Sequence, residues 1–327
     1  MKKKVTLIFR EKRSGNYSIE ELFETLRPEF EKEFEIEIFT CPSADRFQNM
    51  LAVSKLKSDV FHITGDVNYL SFVLPSQKTI ITVHDVGHFE QTLKGFKRVI
   101  YKYLWLKWPL TKVKHITTIS HFTKQRIISN LNIKESKIQV ISNPSPSSVF
   151  KKSAVRELTE GDSVKILQIG SGHNKNIERL IEAVKGLNVE LLLIRKKDAV
   201  LEDLLLKNKI KYRIFSFLTY EEVFQKYQEC DMVYFASNYE GFGVPILEAQ
   251  LVGRPIITSK VASMPEVAGE GAYLVNHESV SEIRTAITDL IANKSLRDSL
   301  VNKGFENIQR FEISTISKQY KDLYKII

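Results

Sequence analysis

Residues 237–249 read SNYEGFGVPILEA and follow an apolar run at 232–235 that predicts a β-strand. Gly241 and Gly243 let the backbone approach a ligand closely, and Pro245 suits the first turn of a helix. The free N–H groups of such a turn bind anions, helped by the positive end of the helix dipole. The stretch therefore predicts a strand, a glycine turn and a helix start that would accommodate a diphosphate.

Two carboxylates frame this turn. Glu240 precedes the helix and can accept hydrogen bonds from sugar hydroxyls, whereas Glu248, expected in the first helical turn, can receive a pair of ribose hydroxyls. In the structural alternative, Glu248 complements a helix dipole, Glu240 is a solvated loop acid and the glycines only shape a turn. The spacing alone favours that alternative, but the whole block placed after a strand favours a site.

Short β-branched or aromatic runs alternate with helix-length amphipathic stretches along the whole chain. This alternation is typical of parallel sheets covered by crossover helices, so we predict an α/β protein with two doubly wound halves. The predicted strands are 5–9, 34–39, 60–63, 79–83, 116–119 and 138–141 in the first half, and 164–169, 189–194, 212–215 and 232–235 in the second.

The alternation stops at residues 142–162, which contain the segment NPSPSS and then a charged run. We interpret this stretch as a linker, because 327 residues are about twice the usual domain length. Residues 1–150 and 151–310 then form two Rossmann-like domains, and a C-terminal helix at 311–327 is expected to pack back on the first. Ligands bind at the carboxyl ends of such strands, so we expect the two domains to face a central cleft.

Composition narrows the class of protein. The chain is 43% hydrophobic and 27% charged, as soluble globular proteins are. Cys41 and Cys230 lie far apart without metal-ligand spacing, which argues against a disulfide scaffold or a zinc site and fits a reducing compartment. The first apolar stretch is too short for a signal peptide, and no run approaches the roughly 18 apolar residues of a membrane span. We therefore expect a cytoplasmic protein.

The spacing Glu-x7-Glu occurs within YEGFGVPILEA, and it is followed by GRPIITS at 253–259 and MPEVA at 264–268. Together these segments resemble the large family of retaining glycosyltransferases of family 4, which have the two-domain GT-B fold. The resemblance implies a nucleotide diphosphate sugar as the donor substrate, with Glu240 on the transferred sugar and Glu248 on the ribose.

A second segment of the same half, IGSGHNKN at 169–176, resembles the strand, glycine turn and lysine of that family. By this resemblance Lys175 binds the donor diphosphate and neutralises charge that grows on the leaving group. The alternative for Lys175 is an exposed lysine at a helix start. Ser171 stands where the family often has an arginine, and the loop is one residue shorter, so we expect a cationic clamp that lacks one member.

Two segments of the first half, TVHD at 82–85 and TISHFTK at 118–124, resemble cleft-facing segments of the family. The resemblance implies that His84 contacts the donor sugar or the acceptor and that Asp85 orients the acceptor. A local hydrogen-bonding pair is the alternative for these two side chains. Gly15, in the loop after the first strand, would let the backbone approach the phosphates.

The resemblance thus implies two sets of site residues. The expected catalytic residues are Glu240, Lys175, His84 and Asp85. The expected donor-binding residues are Gly15, Gly170, Ser171, Lys175, Glu240, Gly241, Phe242, Gly243, Val244, Pro245, Leu247 and Glu248. The implied mechanism is front-face displacement with retention, and because the chain contains no Asp-x-Asp we expect neither a metal nor another cofactor.

The positive charge of the chain is concentrated in its first half. Residues 1–150 carry 23 Lys and Arg against 15 Asp and Glu, a net +8, whereas residues 151–327 carry 25 against 24, a net +1. Residues 94–114 contain seven Lys and Arg, no acid and several aromatic residues. This segment is typical of helices on anionic membrane surfaces, and the alternative is a crossover helix with its aromatic residues against the sheet. Nucleic-acid binding is disfavoured because the second half is nearly neutral.

The sequence therefore predicts a glycosyltransferase of polysaccharide or glycolipid assembly with a glycan or lipid-linked glycan acceptor, in the cytoplasm or at the inner face of the cell membrane. A nucleotide-sugar epimerase on the same fold is the nearest enzymatic alternative. An inactive sugar- or membrane-binding relative is the non-enzymatic one.

Overall fold

The computed structural model describes residues 1–11, 19–159 and 161–327. The chain divides into two compact units, which are Met1–Pro144 together with Phe311–Ile327, and Ser145–Arg310. Between 141 and 163 the described residues form no helix or strand. The division thus falls within the stretch interpreted as a linker, six residues before the domain end set at 150.

The first unit contains a six-stranded sheet in the order β2-β1-β3-β4-β5-β6, with every pairing parallel. The strands are β1 (Lys4–Phe9), β2 (Glu35–Thr40), β3 (Val60–Ile63), β4 (Thr79–Val83), β5 (His115–Thr118) and β6 (Ile138–Val140). The helices are α1 (Ile19–Glu31), α2 (Arg46–Ser54), α3 (Gly95–Tyr101), α4 (Trp108–Lys112), α5 (His121–Leu131) and the C-terminal α13 (Ile313–Ile326). A π-helical segment, Lys102–Lys107, joins α3 to α4.

The second unit contains a six-stranded parallel sheet in the order β12-β11-β10-β7-β8-β9. Its strands are β7 (Val164–Ile169), β8 (Val189–Ile194), β9 (Lys211–Phe215), β10 (Met232–Phe235), β11 (Ile256–Ser259) and β12 (Tyr273–Val275). Its helices are α6 (Ile177–Ala183), α7 (Ala199–Lys207), α8 (Tyr220–Glu229), α9 (Val244–Val252), α10 (Met264–Ala268), α11 (Val280–Ala292) and α12 (Lys294–Ile308).

The predicted α/β class and the two Rossmann-like halves are confirmed, and each predicted strand agrees with the structure to within one residue at either end. The chain order reverses between β1 and β3 in the first unit and between β7 and β10 in the second. At such reversals the loops leave the sheet on opposite faces and open a crevice beyond the carboxyl ends of the strands. Each unit therefore has one crevice that its topology alone creates.

The C-terminal helix α13 belongs to the first unit because it shares a core with β1 and α1. Alternate residues of β1, Val5, Leu7 and Phe9, pack with Phe23 of α1 and Tyr320 of α13 in one cluster of buried side chains. Helix α13 therefore packs on elements from which it is separated by the whole second unit in the sequence.

His62 of β3 fastens α13 to the sheet through buried hydrogen bonds. Its Nδ1 lies 2.7 Å from the hydroxyl of Tyr324, and its Nε2 lies 2.7 Å from Oγ1 of Thr82, which is 2.6 Å from Oγ1 of Thr117. His62 is fully buried, and this burial lowers its pKa from 6.5 to about 3. The imidazole is therefore neutral in the folded protein across the physiological pH range.

We expect the first unit to lose stability as the pH falls below 6.5. The unfolded chain then binds a proton at His62 that the folded unit excludes down to about pH 3, so the loss is on the order of 1 kcal/mol at pH 5.5. Both tryptophans, Trp105 and Trp108, lie in the first unit, so urea unfolding followed by tryptophan fluorescence reports this unit. His62→Gln should flatten the dependence between pH 7.5 and 5.5, and equal slopes for the two proteins would contradict this account.

Candidate active site

Lys175 and Glu240 meet at the crevice of the second unit. Lys175 follows β7 and Glu240 follows β10, the two strands between which the chain order reverses. The Nζ of Lys175 donates to Oε1 of Glu240 at 2.6 Å, and it lies 4.6 Å from the centre of the Phe235 ring. Both charged side chains are about one-sixth exposed, at 17% and 16%. Because the pair is packed against Phe235 but still partly accessible to solvent, a charged ligand could replace either side chain as the partner of the other.

Gly170 makes room for the lysine. Its φ is +104°, a conformation that favours glycine, and a Cβ there would lie 2.6 Å from Cε of Lys175. Any side chain at position 170 would displace the lysine from Glu240. Gly170, which was predicted to bind the donor, therefore also determines where the Lys175 side chain lies.

Asn174 and Ser263, which the sequence analysis did not single out, hold the two loops in place. The amide of Asn174 donates to the carbonyl of Tyr239 at 2.8 Å and to Oε1 of Glu240 at 3.0 Å. The buried hydroxyl of Ser263 donates to the carbonyls of Glu240 and Phe242 at 2.9 and 2.7 Å. The only sequence feature that could have indicated Asn174 is its position next to Lys175. No local pattern indicated Ser263.

Helix α9 begins at Val244, with Gly243 before it in a left-handed conformation at φ +110° and Pro245 in its first turn. The glycine turn and helix start predicted from the sequence are confirmed. Phe242 and Leu247 are buried, and the Leu247 side chain is fully so. These two residues therefore shape the turn from inside, while Gly241, Val244 and Pro245 remain partly accessible.

Glu248 is the fifth residue of α9 and lies in its second turn, so the expectation that it occupies the first turn was wrong. It is 6% exposed, and its carboxylate accepts hydrogen bonds from the hydroxyls of Tyr227 at 2.6 Å and Tyr220 at 3.3 Å. Burial raises its pKa from 4.5 to about 7, although both tyrosines and the charge of Lys175 lower it. The two tyrosines are seven residues apart on α8, a helical spacing that could have revealed them.

Ser171 is exposed and linked to the loop after β8, since its Oγ accepts from the N–H of Lys196 at 2.8 Å. Arg195, which precedes Lys196 in the chain, is only 8% exposed. Its Nε and Nη1 atoms are buried without a hydrogen-bond partner among the described residues. Polar atoms so placed usually mark a missing partner. Arg195 is thus a buried cation whose chain neighbour, Lys196, contacts the loop that contains Ser171.

His84 and Asp85 follow β4 in the first unit and line a small cavity of about 180 Å³. The Nε2 of His84 donates to the carbonyl of Thr64 at 2.7 Å, and burial lowers the pKa of the ring. A neutral ring with Nε2 protonated leaves Nδ1 as an acceptor. Asp85 is exposed, and its Oδ1 accepts from the N–H of Gly87 at 2.8 Å, a local turn contact.

Gly15 lies outside the described residues. Within residues 1–11, 19–159 and 161–327, no group of three or more His, Cys, Asp or Glu side chains is arranged to hold a metal ion. Over the same ranges, no helix has the length and apolar character to cross a membrane.

The basic segment 94–114 forms α3, the π-helical segment and α4 in succession, and it is unusually exposed. No residue of α3 is buried, and Phe96 and Trp108 are 77% and 52% exposed. The 3₁₀ turn Asn68–Val73 packs against α4 and against α2. We name the exposed side chains of α2, this turn, α3, the π-helical segment and α4 the apolar–basic patch. Its apolar members are Phe47, Leu51, Phe72, Phe96, Val99, Ile100, Tyr103, Leu104 and Trp108.

The patch holds nine of the 15 large hydrophobic side chains that are exposed in the described residues. A concentration of this kind marks an interaction surface rather than ordinary scatter. The alternative, a crossover helix with its aromatic residues against the sheet, accounts for Tyr101 and Trp105, which pack on the core of the first unit, but not for the exposed Phe96 and Trp108.

Known families match most of the chain. Residues 24–145 match the family described as Glycosyltransferase Family 4, and residues 150–307 match the family described as Glycosyl transferases group 1. The chain belongs to these glycosyltransferases, and its two six-stranded parallel sheets form the GT-B fold. It is a glycosyltransferase.

Its relatives include enzymes of bacterial surface polysaccharides. The O-antigen chain mannosyltransferase B of Escherichia coli is 27% identical over 278 residues, which are 79% of this chain and 73% of the relative. The capsular polysaccharide biosynthesis glycosyltransferase CapM of Staphylococcus aureus is 28% identical over 262 residues, which are 72% of this chain and 67% of the relative.

Among solved structures, HepE of Anabaena in complex with UDP and glucose has a TM-score of 0.77 and is 15% identical, covering 99% of this chain and all of that chain. At this identity the likeness concerns the fold.

Glu248→Gln should stabilise the second unit at alkaline pH. The folded protein keeps the Glu248 proton up to about pH 7, whereas the unfolded chain releases it near 4.5, so stability falls as the pH rises between these values. The neutral amide avoids this loss, roughly 3 kcal/mol at pH 8 and under about 1 kcal/mol at pH 5. Calorimetric unfolding at both pH values tests this, and a Tm difference independent of pH would contradict it.

Proposed function

We propose that the protein is a retaining glycosyltransferase that moves a hexosyl group from a nucleotide diphosphate sugar to a glycan or lipid-linked glycan in the assembly of a surface polysaccharide. The observation that carries the proposal is the Lys175–Glu240 pair beside the start of α9. The names of the O-antigen and capsule relatives support the polysaccharide context. The complex of HepE with UDP and glucose supports the class of donor.

The charges of the site suit a diphosphate sugar. The diphosphate replaces Glu240 as the partner of the Lys175 ammonium and also accepts hydrogen bonds from the free N–H groups at the start of α9. Glu240, released from the lysine, accepts hydrogen bonds from hydroxyls of the transferred sugar. Glu248 receives the ribose hydroxyls when it is ionised, with Tyr227 supporting the carboxylate from behind.

The reaction is one displacement on a single face of the sugar. The bond between the anomeric carbon and the diphosphate oxygen breaks as the bond from the acceptor oxygen forms on the same side. The acceptor proton passes to the departing phosphate oxygen, so no separate carboxylate base is needed. Lys175 and the helix start stabilise the charge that develops on the leaving group, and we propose that the reaction needs no metal. His84 and Asp85 bind the acceptor.

Lys175→Ala and Glu240→Gln should each lower kcat by at least about 100-fold, because each removes a group that interacts more strongly in the transition state. Transfer is measured with GDP-mannose and UDP-glucose as donors in the presence of EDTA, which should leave the wild-type rate unchanged. Circular dichroism checks that the variants remain folded.

The matched control is Lys260→Ala. Lys260 also follows a strand of the second unit and pairs with a carboxylate, Glu282 at 3.0 Å, but both side chains of this pair are exposed, at 55% and 44%. Its loss should leave kcat unchanged. Full transfer by both Lys175→Ala and Glu240→Gln would refute the assigned roles.

We further propose that the apolar–basic patch rests on an anionic membrane surface, which makes the enzyme peripheral at the inner face of the cell membrane. The exposed aromatic side chains of α3 and α4 suit the region of the lipid headgroups, and the surrounding lysines match the negative charge of the lipids. A lipid-linked acceptor is confined to that surface.

Phe96→Ala with Trp108→Ala should lower binding to vesicles containing phosphatidylglycerol at least tenfold, because two aromatic side chains lose their burial in lipid. Co-sedimentation measures the bound fraction, and added salt should weaken the binding of both proteins. Phe217→Ala is the control, since Phe217 is 87% exposed but lies in the second unit. Equal binding by wild type, double variant and control would refute the membrane contact.

A further inference from the structure

The carboxylate of Glu248 lies between the hydroxyls of two tyrosines of α8. Its Oε2 accepts a hydrogen bond from Tyr227 at 2.6 Å, and its Oε1 accepts one from Tyr220 at 3.3 Å. Tyr227 is fully buried and Glu248 nearly so. Each carboxylate oxygen therefore has a donor within the protein and a further lone pair with which to bind a ligand.

Phe150, which precedes the second sheet in the chain, fixes the rings of both tyrosines. It is buried, and its ring packs edge-on against Tyr220, with the centres 4.9 Å apart, and against Tyr227, with the centres 5.3 Å apart. The Tyr227 ring is thus held in place while its hydroxyl proton can still turn about the C–O bond. A change of hydrogen-bond partner at Tyr227 therefore needs no movement of the ring.

The hydroxyl of Tyr227 has two acceptors within reach but only one proton. Besides Oε2 of Glu248 at 2.6 Å, the carbonyl of Pro245, in the first turn of α9, lies 3.3 Å away. Burial and the neighbouring Glu248 raise the pKa of Tyr227 well above its usual value, so the hydroxyl keeps its proton. Tyr227 can therefore donate to the carboxylate or to the carbonyl, but not to both at once.

The ionisation state of Glu248 decides between these two partners. An ionised carboxylate only accepts, so Tyr227 donates to it. A neutral carboxyl group has its own O–H, which can donate to the oxygen of Tyr227, and the Tyr227 proton then points to Pro245. Burial raises the pKa of Glu248 to about 7, whereas the hydrogen bonds from Tyr227 and Tyr220 and the charge of Lys175 lower it. The two states are therefore close in free energy near neutral pH.

A ribose bound at Glu248 favours the ionised state. Both hydroxyls of the ribose can donate to an ionised carboxylate, while a neutral carboxyl group uses one of its oxygens as a donor. The charge of a diphosphate nearby favours the neutral state, but in the proposed function Lys175 and the N–H groups at the start of α9 counter that charge. Binding of the ribose therefore draws Glu248 towards its ionised form.

We propose that Tyr227 is a positioning residue that follows the ionisation of Glu248 as the donor binds, an inference that rests on the proposed function. While Glu248 is neutral, its O–H donates to Tyr227, and Tyr227 donates to Pro245. When the ribose of a nucleotide sugar binds, the carboxyl proton passes to the solvent. The Tyr227 hydroxyl turns to the carboxylate, which also accepts from both ribose hydroxyls. Each neutral Glu248 that binds the donor thus releases one proton.

Calorimetric titration with GDP-mannose and UDP-glucose, repeated in buffers of different ionisation enthalpy, counts the released protons. The diphosphate of a nucleotide sugar has no group that titrates near neutral pH, so these protons come from the protein. With the nucleotide sugar that binds, the wild type should release close to one proton at pH 6 and close to none at pH 8, and its Kd should be about tenfold higher at pH 6. Glu248→Gln should release fewer at pH 6, and equal release by the two proteins would overturn the proposal.

Tyr227→Phe removes the hydroxyl and keeps the ring. Because the ionised carboxylate loses its closest donor, the Kd should rise at least about threefold at pH 7 and approach that of the wild type at pH 8.5. Tyr220→Phe, which removes the longer hydrogen bond, should cause a smaller change in the same direction. If Tyr227→Phe weakened binding equally at every pH, or not at all, its role would be structural and the proposal would fail.

Tyr273→Phe is the matched control. The hydroxyl of Tyr273 also donates to a carboxylate of the second unit, Asp289 at 2.8 Å, but this pair belongs to β12 and α11. The variant should bind and release protons as the wild type does, and thermal unfolding checks that all variants are folded.

Failure of this inference is distinguishable from failure of the proposed function. If neither nucleotide sugar binds to the wild type at pH 6 or 8, the proposed function fails. If one binds but the wild type releases no proton at pH 6, only the inference about Tyr227 and Glu248 fails. Where Glu248→Gln binds too weakly to titrate, the proton count of the wild type and the pH profile of Tyr227→Phe decide.

Discussion

The ion pair between Lys175 and Glu240 is the interaction around which the second unit is organised. It joins the loops after β7 and β10 where the chain order reverses, and it depends on Gly170, which leaves room for the lysine chain, and on Asn174, which orients the carboxylate. The pair keeps two charges close to the start of α9 without a ligand. Each charge can then be given up to a ligand group of opposite character, a phosphate for the lysine and a sugar hydroxyl for the glutamate.

The burial of Glu248 lowers the stability of the second unit when this carboxyl group is ionised. A carboxylate buried against Tyr227 would be more stable as a neutral group, and its raised pKa expresses that penalty. In the proposed function the ionised form of Glu248 binds the ribose, although burial disfavours that form. Loss of stability in exchange for binding is common at functional sites.

The first unit follows a different design. Its core and the hydrogen bond between His62 and Tyr324 hold the C-terminal helix on the sheet. Helix α3, in contrast, has no buried residue. Helix α3 packs on the first unit through the half-buried Tyr101, which stacks on Trp105, and it leaves Phe96 and Val99 exposed.

Periodicity and composition determined ten of the twelve strands to within a residue, and the glycine turn before α9, because these depend on local spacing of apolar side chains and on backbone freedom; β11 and β12 were not predicted. The motifs also identified Lys175 and Glu240. Only the tertiary structure decided that these two charges are paired, that Glu248 is buried against Tyr227, and that Lys196 contacts Ser171, because such contacts join residues far apart in sequence through the order of strands. No local pattern encodes that order.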